Sequence, residues 1–265
     1  MNPKTQSVSA VDLLLEARTK RKTIEKVPSE LLPADQTTSY KLQEMMVNRL
    51  LANACGETIG YKVACTSKLA QDLLKVDGPF YGCLLSSTSF ADGAELITDQ
   101  FFFRCIEAEF SFEISKDLPN RPIVEDELSD YIGAILPSVE IVDSRYADWI
   151  KVDAKLHIVD NACHGAWVEG KRFTNWKKID LAKQPVELWV NGELKRQGSG
   201  AAVLGNPLNV VAWLANALHG NGKHLKAGDL ISTGITTDVY FASTGDQITA
   251  DFGEIGQVHL SFSKA

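Results

Sequence analysis

The sequence lacks a cysteine pattern that would build a disulfide framework or a zinc site. Its five cysteines, which are scattered and never form a C-x-x-C pair, are Cys55, Cys65, Cys83, Cys105 and Cys163. Small secreted domains and zinc sites need paired or closely spaced cysteines. The pattern is typical of reduced thiols, so we expect a cytoplasmic protein.

The sequence also has no long hydrophobic run. No stretch of about 18 apolar residues, the length needed to span a bilayer as a helix, is present. The opening segment, residues 1–10, is too polar for a signal peptide. We therefore expect no association with a membrane.

Positive charge is scarce. There are 27 Lys and Arg residues against 34 Asp and Glu residues, which gives a net charge of −7. The densest basic segment, residues 18–22, lies at the end of a predicted helix, and we interpret it as solvated side chains beside the helix dipole. Nucleic acid is therefore not an expected partner.

The hydrophobic pattern changes near residue 58. Residues 9–22 and 36–54 have helical periodicity, and Ser9 and Asp12 have capping-box spacing. Beyond them the pattern predicts strands at 58–64, 101–114, 137–142, 229–233, 247–252 and 257–262, a hairpin at 186–195, and helices at 67–76 and 207–218. The prediction is an α+β fold, with a helical N-terminal region at 1–57 and a strand-rich body at 58–265.

Three glutamates in the predicted strands form a candidate metal site. Glu107 and Glu109 lie on the same face of one strand, about 7 Å apart along the backbone. From this spacing alone, a solvated polar face is the simpler interpretation. Glu140 favours the metal, because it lies in an apolar run, 136–142, where a lone acid needs a partner. Three carboxylates without His or Cys would select Mg²⁺ or Mn²⁺.

Several ordered motifs resemble one known family. The chain resembles the fumarylacetoacetate hydrolase superfamily, in its branch of 2-hydroxypentadienoate hydratases and 4-oxalocrotonate decarboxylases. The resemblance runs from about residue 59 to 262, through the segments 59–63 (IGYKV), 79–82 (PFYG), 106–109 (IEAE), 139–145 (VEIVDSR), 160–162 (DNA) and 198–208 (GSGAAVLGNPL). It implies a mixed β-sheet or β-roll body, and it implies that Glu107, Glu109 and Glu140 bind Mg²⁺ or Mn²⁺.

The resemblance also implies the chemistry and further site residues. A 2-oxo acid substrate chelates the cation, which stabilises a dienolate. A decarboxylase then loses CO₂, and a hydratase adds water. Lys62, which by itself would be interpreted as a surface lysine, would be catalytic by neutralising substrate charge. Asp143 and Arg145 are expected to orient Glu140 or the metal's waters. The expected substrate contacts are Phe80, Ser199, Asn206 and Thr233.

The resemblance further implies a place in aromatic-compound catabolism and an assembly. We expect a homo-oligomer, with a complex formed with a related pathway enzyme as a further expectation.

Two departures from the family pattern affect the predicted reaction. Phe80 stands where hydratases of this branch carry an acid, and a phenyl ring cannot transfer protons. A decarboxylase is therefore favoured, with a hydratase, a C–C hydrolase or a catalytically degenerate partner subunit as alternatives. His164 stands where the family has a small residue, and it is either a packed histidine or a substituted catalytic acid/base. The other histidines, including His157, are expected to be structural or exposed. Cys163 is not expected to pair with its neighbour His164 as a nucleophile.

Overall fold

The computed structural model describes residues 9–265, and within this range the predicted α+β fold is confirmed. Residues 1–8, which carry most of the segment that we interpreted as unlike a signal peptide, lie outside the described range. The helices are α1 (Ala10–Lys20), α2 (Gln36–Ala54), α3 (Lys68–Leu74), α4 (Ala154–Val159) and α5 (Pro207–Gly220). The strands are β1 (Thr58–Ala64), β2 (Phe80–Leu85), β3 (Ser89–Ala91), β4 (Ala94–Ile97), β5 (Cys105–Ile114), β6 (Ile132–Val142), β7 (His164–Glu169), β8 (Pro185–Val190), β9 (Glu193–Ser199), β10 (Leu230–Ser232), β11 (Tyr240–Phe241), β12 (Gln247–Asp251) and β13 (Gln257–Ser263).

The strands form two sheets. The larger has the order β2-β1-β10-β5-β6-β7-β3, with β11 also paired to β5, and the smaller has the order β4-β13-β12-β8-β9. The larger sheet is mixed, since β1 pairs in parallel with β10, and β3 with β7. The main core lies between the sheets, where the ring of Phe110 packs edge-on against that of Phe252 at 5.0 Å.

Strand β5 has the predicted alternation, but the polar face is not solvated. Ile106, Ala108, Phe110 and Phe112 are fully buried in the core, as expected. Glu109, on the opposite face, is also fully buried. Both faces of β5 are therefore covered, and the simpler interpretation of a solvated polar strand is wrong.

The N-terminal helices pack on the body. Ser9 and Asp12 form the predicted capping box of α1. The helices α1, α2 and α4 bury a separate apolar cluster that includes Leu14, Met46 and Val159. Because two of these helices precede residue 58 and one follows it, the proposed boundary between residues 57 and 58 stays a prediction. The interpretation of the basic segment 18–22 as solvated side chains is wrong for Arg18, which forms an ion pair with buried Asp160 at 3.0 Å.

Several short elements were not predicted. They are α4, β2, β3, β4, β7 and β11, and β6 begins at Ile132 instead of residue 137. Strand β7 follows three consecutive residues with left-handed backbone, Asn161, Ala162 and Cys163, whose φ angles are 55°, 52° and 58°. Such a turn normally requires glycine, so the sequence carries no signal for it.

One segment, Gly200–Gly220, is long and apolar enough by composition to cross a membrane. It contains α5, whose Val210, Val211, Leu214 and Leu218 are fully buried in the core of the protein. A buried core helix can meet the same length and composition criteria as a membrane span. The segment is therefore only weak support for a membrane span.

Candidate metal centre

The register of two antiparallel strands brings the three glutamates together. In the β5–β6 ladder Glu107 lies directly opposite Glu140, and Glu109 follows two residues later on the same face. One carboxylate oxygen from each glutamate lies within 4.8 Å of the others. Glu109 and Glu140 are fully buried, and Glu107 is half-buried at the edge of a cavity.

The burial of this cluster changes the acidity of its members. Burial raises the pKa of Glu107 to about 7 and raises that of Glu109 well above its usual range, and the neighbouring carboxylate charges add to both shifts. Burial also opposes ionisation of Glu140, but the charge of Lys62 and the hydrogen bond from His164 lower its pKa below the ordinary value. Three ionised carboxylates this close therefore need more positive charge than Lys62 supplies.

The bonding of Glu109 fits a cation. Its Oε2 accepts hydrogen bonds from Ser232 Oγ at 2.5 Å and from the Gly234 amide at 2.8 Å. Among the described residues, its buried Oε1 has no hydrogen-bond partner, which is costly for a carboxylate. A set of three carboxylates suits a hard divalent cation. Glu107, Glu109 and Glu140 could therefore hold such an ion.

Lys62 lies beside the carboxylates. Its ammonium nitrogen is 3.0 Å from Glu140 Oε2 and donates a hydrogen bond to the Ala162 carbonyl at 3.0 Å. Burial opposes its charge, but Glu140 and the two other glutamates raise its pKa, so it stays protonated. Gly82 allows the turn that carries Ala162 to approach, since a Cβ there would lie 2.5 Å from the Asn161 carbonyl oxygen.

His164 lies behind Glu140. Its Nδ1 is 3.0 Å from Glu140 Oε1, and its Nε2 is 3.0 Å from Thr88 Oγ1. Burial lowers the pKa of His164, so the ring is neutral near pH 7. The ring does not line the cavity. The structure thus places this predicted catalytic residue in contact with a metal-ligand candidate and not at the surface that a substrate would meet.

A cavity of about 1160 Å³ opens beside the cluster, with Lys62 and Glu107 in its wall. Two of the four predicted substrate contacts, Phe80 and Ser199, line it. The other two do not. Asn206 caps α5, with Oδ1 accepting from the Leu208 amide at 2.9 Å, and Thr233 donates from Oγ1 to the Phe110 carbonyl at 2.8 Å.

Asp143 and Arg145 bind segments of the chain next to the site. Asp143 Oδ1 accepts from the amides of residues 102 and 103, both at 2.9 Å. Arg145 pairs with buried Asp160 at 2.6 Å and donates to the His164 carbonyl at 3.3 Å. The two residues therefore hold the segments around Glu140 and make no hydrogen bond to Glu140 itself.

The residues that support the cluster were not predicted from the sequence. Ser232 and Gly234 orient Glu109, and Thr88 contacts His164. Ser232 and Gly234 flank Thr233, so the predicted substrate contact at Thr233 marked the right segment. Thr88 lies in a short turn and carried no signal.

A buried thiol–imidazole pair was also missed. His157 and Cys163 both line the cavity, with Nδ1 and Sγ 3.1 Å apart. His157 Nε2 donates to the Trp149 carbonyl at 2.9 Å, so Nδ1 accepts from the thiol. Burial raises the pKa of Cys163 to about 12 and lowers that of His157. The pair is neutral, and so it is not an activated nucleophile.

Comparisons with known proteins match the whole body of the chain. The Fumarylacetoacetate (FAA) hydrolase C-terminal model matches residues 86–262. A 2-keto-4-pentenoate hydratase from Paraburkholderia phymatum is 33% identical over 257 residues, covering 95% of each chain. A 4-oxalocrotonate decarboxylase from Pseudomonas putida is 31% identical over 239 residues, covering 90% of each chain.

A solved structure agrees with these relatives. The 4-oxalocrotonate decarboxylase from Pseudomonas putida G7, complexed with magnesium and adipate, superposes with a TM-score of 0.88 at 30% identity. The match covers 96% of this chain and 95% of that chain. It confirms the predicted fold type, and the names of these relatives agree with the predicted lyase class.

Proposed function

The chain belongs to the fumarylacetoacetate hydrolase family, and on that premise we propose that it is a divalent-metal-dependent decarboxylase of a short unsaturated 2-oxo dicarboxylic acid. Glu107, Glu109 and Glu140 would hold the cation, Mg²⁺ or Mn²⁺. When bound, the cation would supply Lewis-acid chemistry that polarises the keto group of a chelated 2-oxo acid.

The observation that supports decarboxylation over hydration is the position of Phe80. Phe80 is 3% exposed and lies in the cavity wall. Among the described residues that line the cavity, the carboxylates are Glu107, which belongs to the metal centre, and Asp238, which is exposed. The wall at Phe80 therefore offers no acid that could direct a proton to or from a water molecule.

An apolar wall suits the loss of CO₂. In the proposed reaction the bond to the distal carboxyl carbon breaks, and its electron pair moves along the conjugated chain toward the keto oxygen. The departing carboxylate loses its charge, so an apolar environment destabilises the reactant more than the transition state. Lys62 would neutralise the negative charge that accumulates at the other end of the substrate.

A hydratase acting on 2-hydroxypenta-2,4-dienoate is the second candidate. It is favoured by the Paraburkholderia phymatum relative, whose identity to this chain is as high as that of the decarboxylase. A catalytically degenerate partner subunit is a third candidate, but the close grouping of the three glutamates and the ion pair of Lys62 argue against it. We also keep as proposals a cytoplasmic location, a homo-oligomer and a complex with a related pathway enzyme.

The test compares two substrates. The purified protein is incubated with 2-oxohex-3-enedioate or with 2-hydroxypenta-2,4-dienoate, in Mg²⁺, in Mn²⁺ or in EDTA. We expect metal-dependent CO₂ release from the first substrate and little loss of dienol absorbance from the second. The opposite pattern would establish the hydratase, and no turnover of either would favour the degenerate subunit.

A matched pair of variants tests the metal. Glu107→Gln removes a candidate ligand, whereas Glu113→Gln changes a glutamate of the same strand that pairs with Arg172 at 3.0 Å outside the cluster. We expect only the first variant to lose activity. Full activity of Glu107→Gln in metal-depleted buffer would show that the metal mechanism is wrong.

A further inference from the structure

We propose that His164 is a positioning residue that fixes the Glu140 carboxylate in the orientation in which it binds the cation. The inference rests on the proposed function for the cation, and on the structure for the contacts. It replaces the expectation that His164 itself exchanges protons with substrate, because the ring lies behind Glu140 and outside the cavity wall.

Glu140 is held at both carboxylate oxygens. His164 Nδ1 is 3.0 Å from Oε1, and Lys62 Nζ is 3.0 Å from Oε2. The hydrogen bond fixes Oε1, whereas Oε2 makes the ion pair with Lys62 and has no hydrogen-bond partner among the described residues. Lys62 faces the cavity, where a substrate can compete for it, so His164 is the contact that remains in place when the cavity is filled.

The tautomer of His164 follows from its two neighbours. Ionised Glu140 can only accept a hydrogen bond, so Nδ1 carries the proton. The other nitrogen of the neutral ring then accepts, and Thr88 Oγ1 donates to it at 3.0 Å. The hydrogen bonds therefore run in one direction, from Thr88 through His164 to Glu140.

The ring has little freedom to leave this arrangement. His164 is 3% exposed, and its own carbonyl accepts from Arg145 at 3.3 Å. A small residue at this position would leave that space unfilled and could not reach Glu140. Residues that orient a metal ligand typically contribute about 10- to 100-fold to metal affinity, which sets the expected size of the effect.

Three substitutions separate positioning from packing. In His164→Asn the amide nitrogen can take the place of Nδ1 and donate to Glu140. In His164→Gln the amide nitrogen takes the place of Nε2, next to Thr88 and away from Glu140. His164→Leu keeps an apolar side chain and no donor. The Asn and Gln variants thus keep an amide and differ in which hydrogen bond they can make.

The measurement is the affinity for Mn²⁺, by electron paramagnetic resonance of the free ion, on the whole chain without substrate. We expect His164→Asn to bind within about threefold of wild type, and His164→Gln and His164→Leu to bind about 10- to 100-fold more weakly. Melting curves in EDTA report whether each variant folds. If His164→Leu does not fold, the Asn and Gln variants still decide the question.

Two outcomes would overturn the proposal. Equal affinities for His164→Asn and His164→Gln would show that the contact with Glu140 does not matter. Wild-type affinity in His164→Leu would show that no donor is needed. Wild-type protein that binds no Mn²⁺ would instead overturn the proposed metal function, and this inference with it, so the two failures are distinguishable.

Discussion

Replacing Glu107 with glutamine should make the metal-free protein more stable and the metal-bound protein less stable than wild type. In the metal-free protein Glu107 is a carboxylate next to two others, and burial raises its pKa from 4.5 to about 7. Because the folded-state pKa is raised, the group costs no stability below pH 4.5 and costs the full amount above pH 7. Glutamine has nearly the same shape and never ionises.

The magnitude follows from the pKa. A rise from 4.5 to about 7 corresponds to about 3 kcal/mol at pH 8. Glu107 is half-buried and faces a cavity, so solvent reduces this cost, and we expect about 1–3 kcal/mol. Saturating cation at about a thousand times its dissociation constant adds about 4.1 kcal/mol to wild type, which exceeds this gain. The variant lacks one ligand and should gain much less.

The assay is urea unfolding of wild type and Glu107→Gln at pH 8 and pH 5, in EDTA and in Mg²⁺. We expect the variant to be more stable in EDTA at pH 8, to keep about a quarter of that gain at pH 5, and to be less stable than wild type in saturating Mg²⁺ at pH 8. Glu113→Gln, which lies outside the cluster, should show neither reversal. Destabilisation of Glu107→Gln in EDTA at pH 8, or equal stabilisation of both proteins by Mg²⁺, would contradict this prediction.

Three further changes test other parts of the structure. Asp160→Asn should destabilise the protein by about 3–5 kcal/mol in urea unfolding, because it leaves Arg145 and Arg18 without a full counter-charge; a loss below about 1 kcal/mol would contradict this. His157→Phe should reduce the loss of folding stability at acid pH. Burial lowers the pKa of His157, so below pH 6.5 the unfolded wild type binds a proton that the folded protein does not, which costs up to about 1.4 kcal/mol of stability per pH unit. Parallel curves of stability against pH for the two proteins would contradict this. Phe80→Asp should slow CO₂ release at least about tenfold relative to Phe80→Leu, since like charge beside the distal carboxylate hinders its binding; similar rates would show that the apolar wall at Phe80 does not favour decarboxylation.

Local patterns in the sequence determined much of the fold. The alternation along β5 identified the buried face that carries Ile106 and Phe110, because side chains of a strand alternate strictly between faces. Ser9 and Asp12 predicted the start of α1 through bonds that span only three residues. Asn191-Gly192 predicted the hairpin, and both residues adopt the positive φ that its turn requires, 53° and 79°.

The candidate site was predicted partly from spacing and partly from the family motifs. The i, i+2 spacing placed Glu107 and Glu109 side by side, since that relation is set within one strand. The motif around Glu140 suggested the third ligand. Nothing in the pattern of the chain showed which residue of β6 would lie opposite Glu107.

Only the tertiary structure decided how the site is completed. The β5–β6 register places Glu140 opposite Glu107, and the packing of other segments supplies Ser232 for Glu109 and Thr88 for His164. These partners come from segments far apart in the chain. Periodicity reports which face of an element is buried, but the element that covers that face, and the donors it brings, follow from how the whole chain packs.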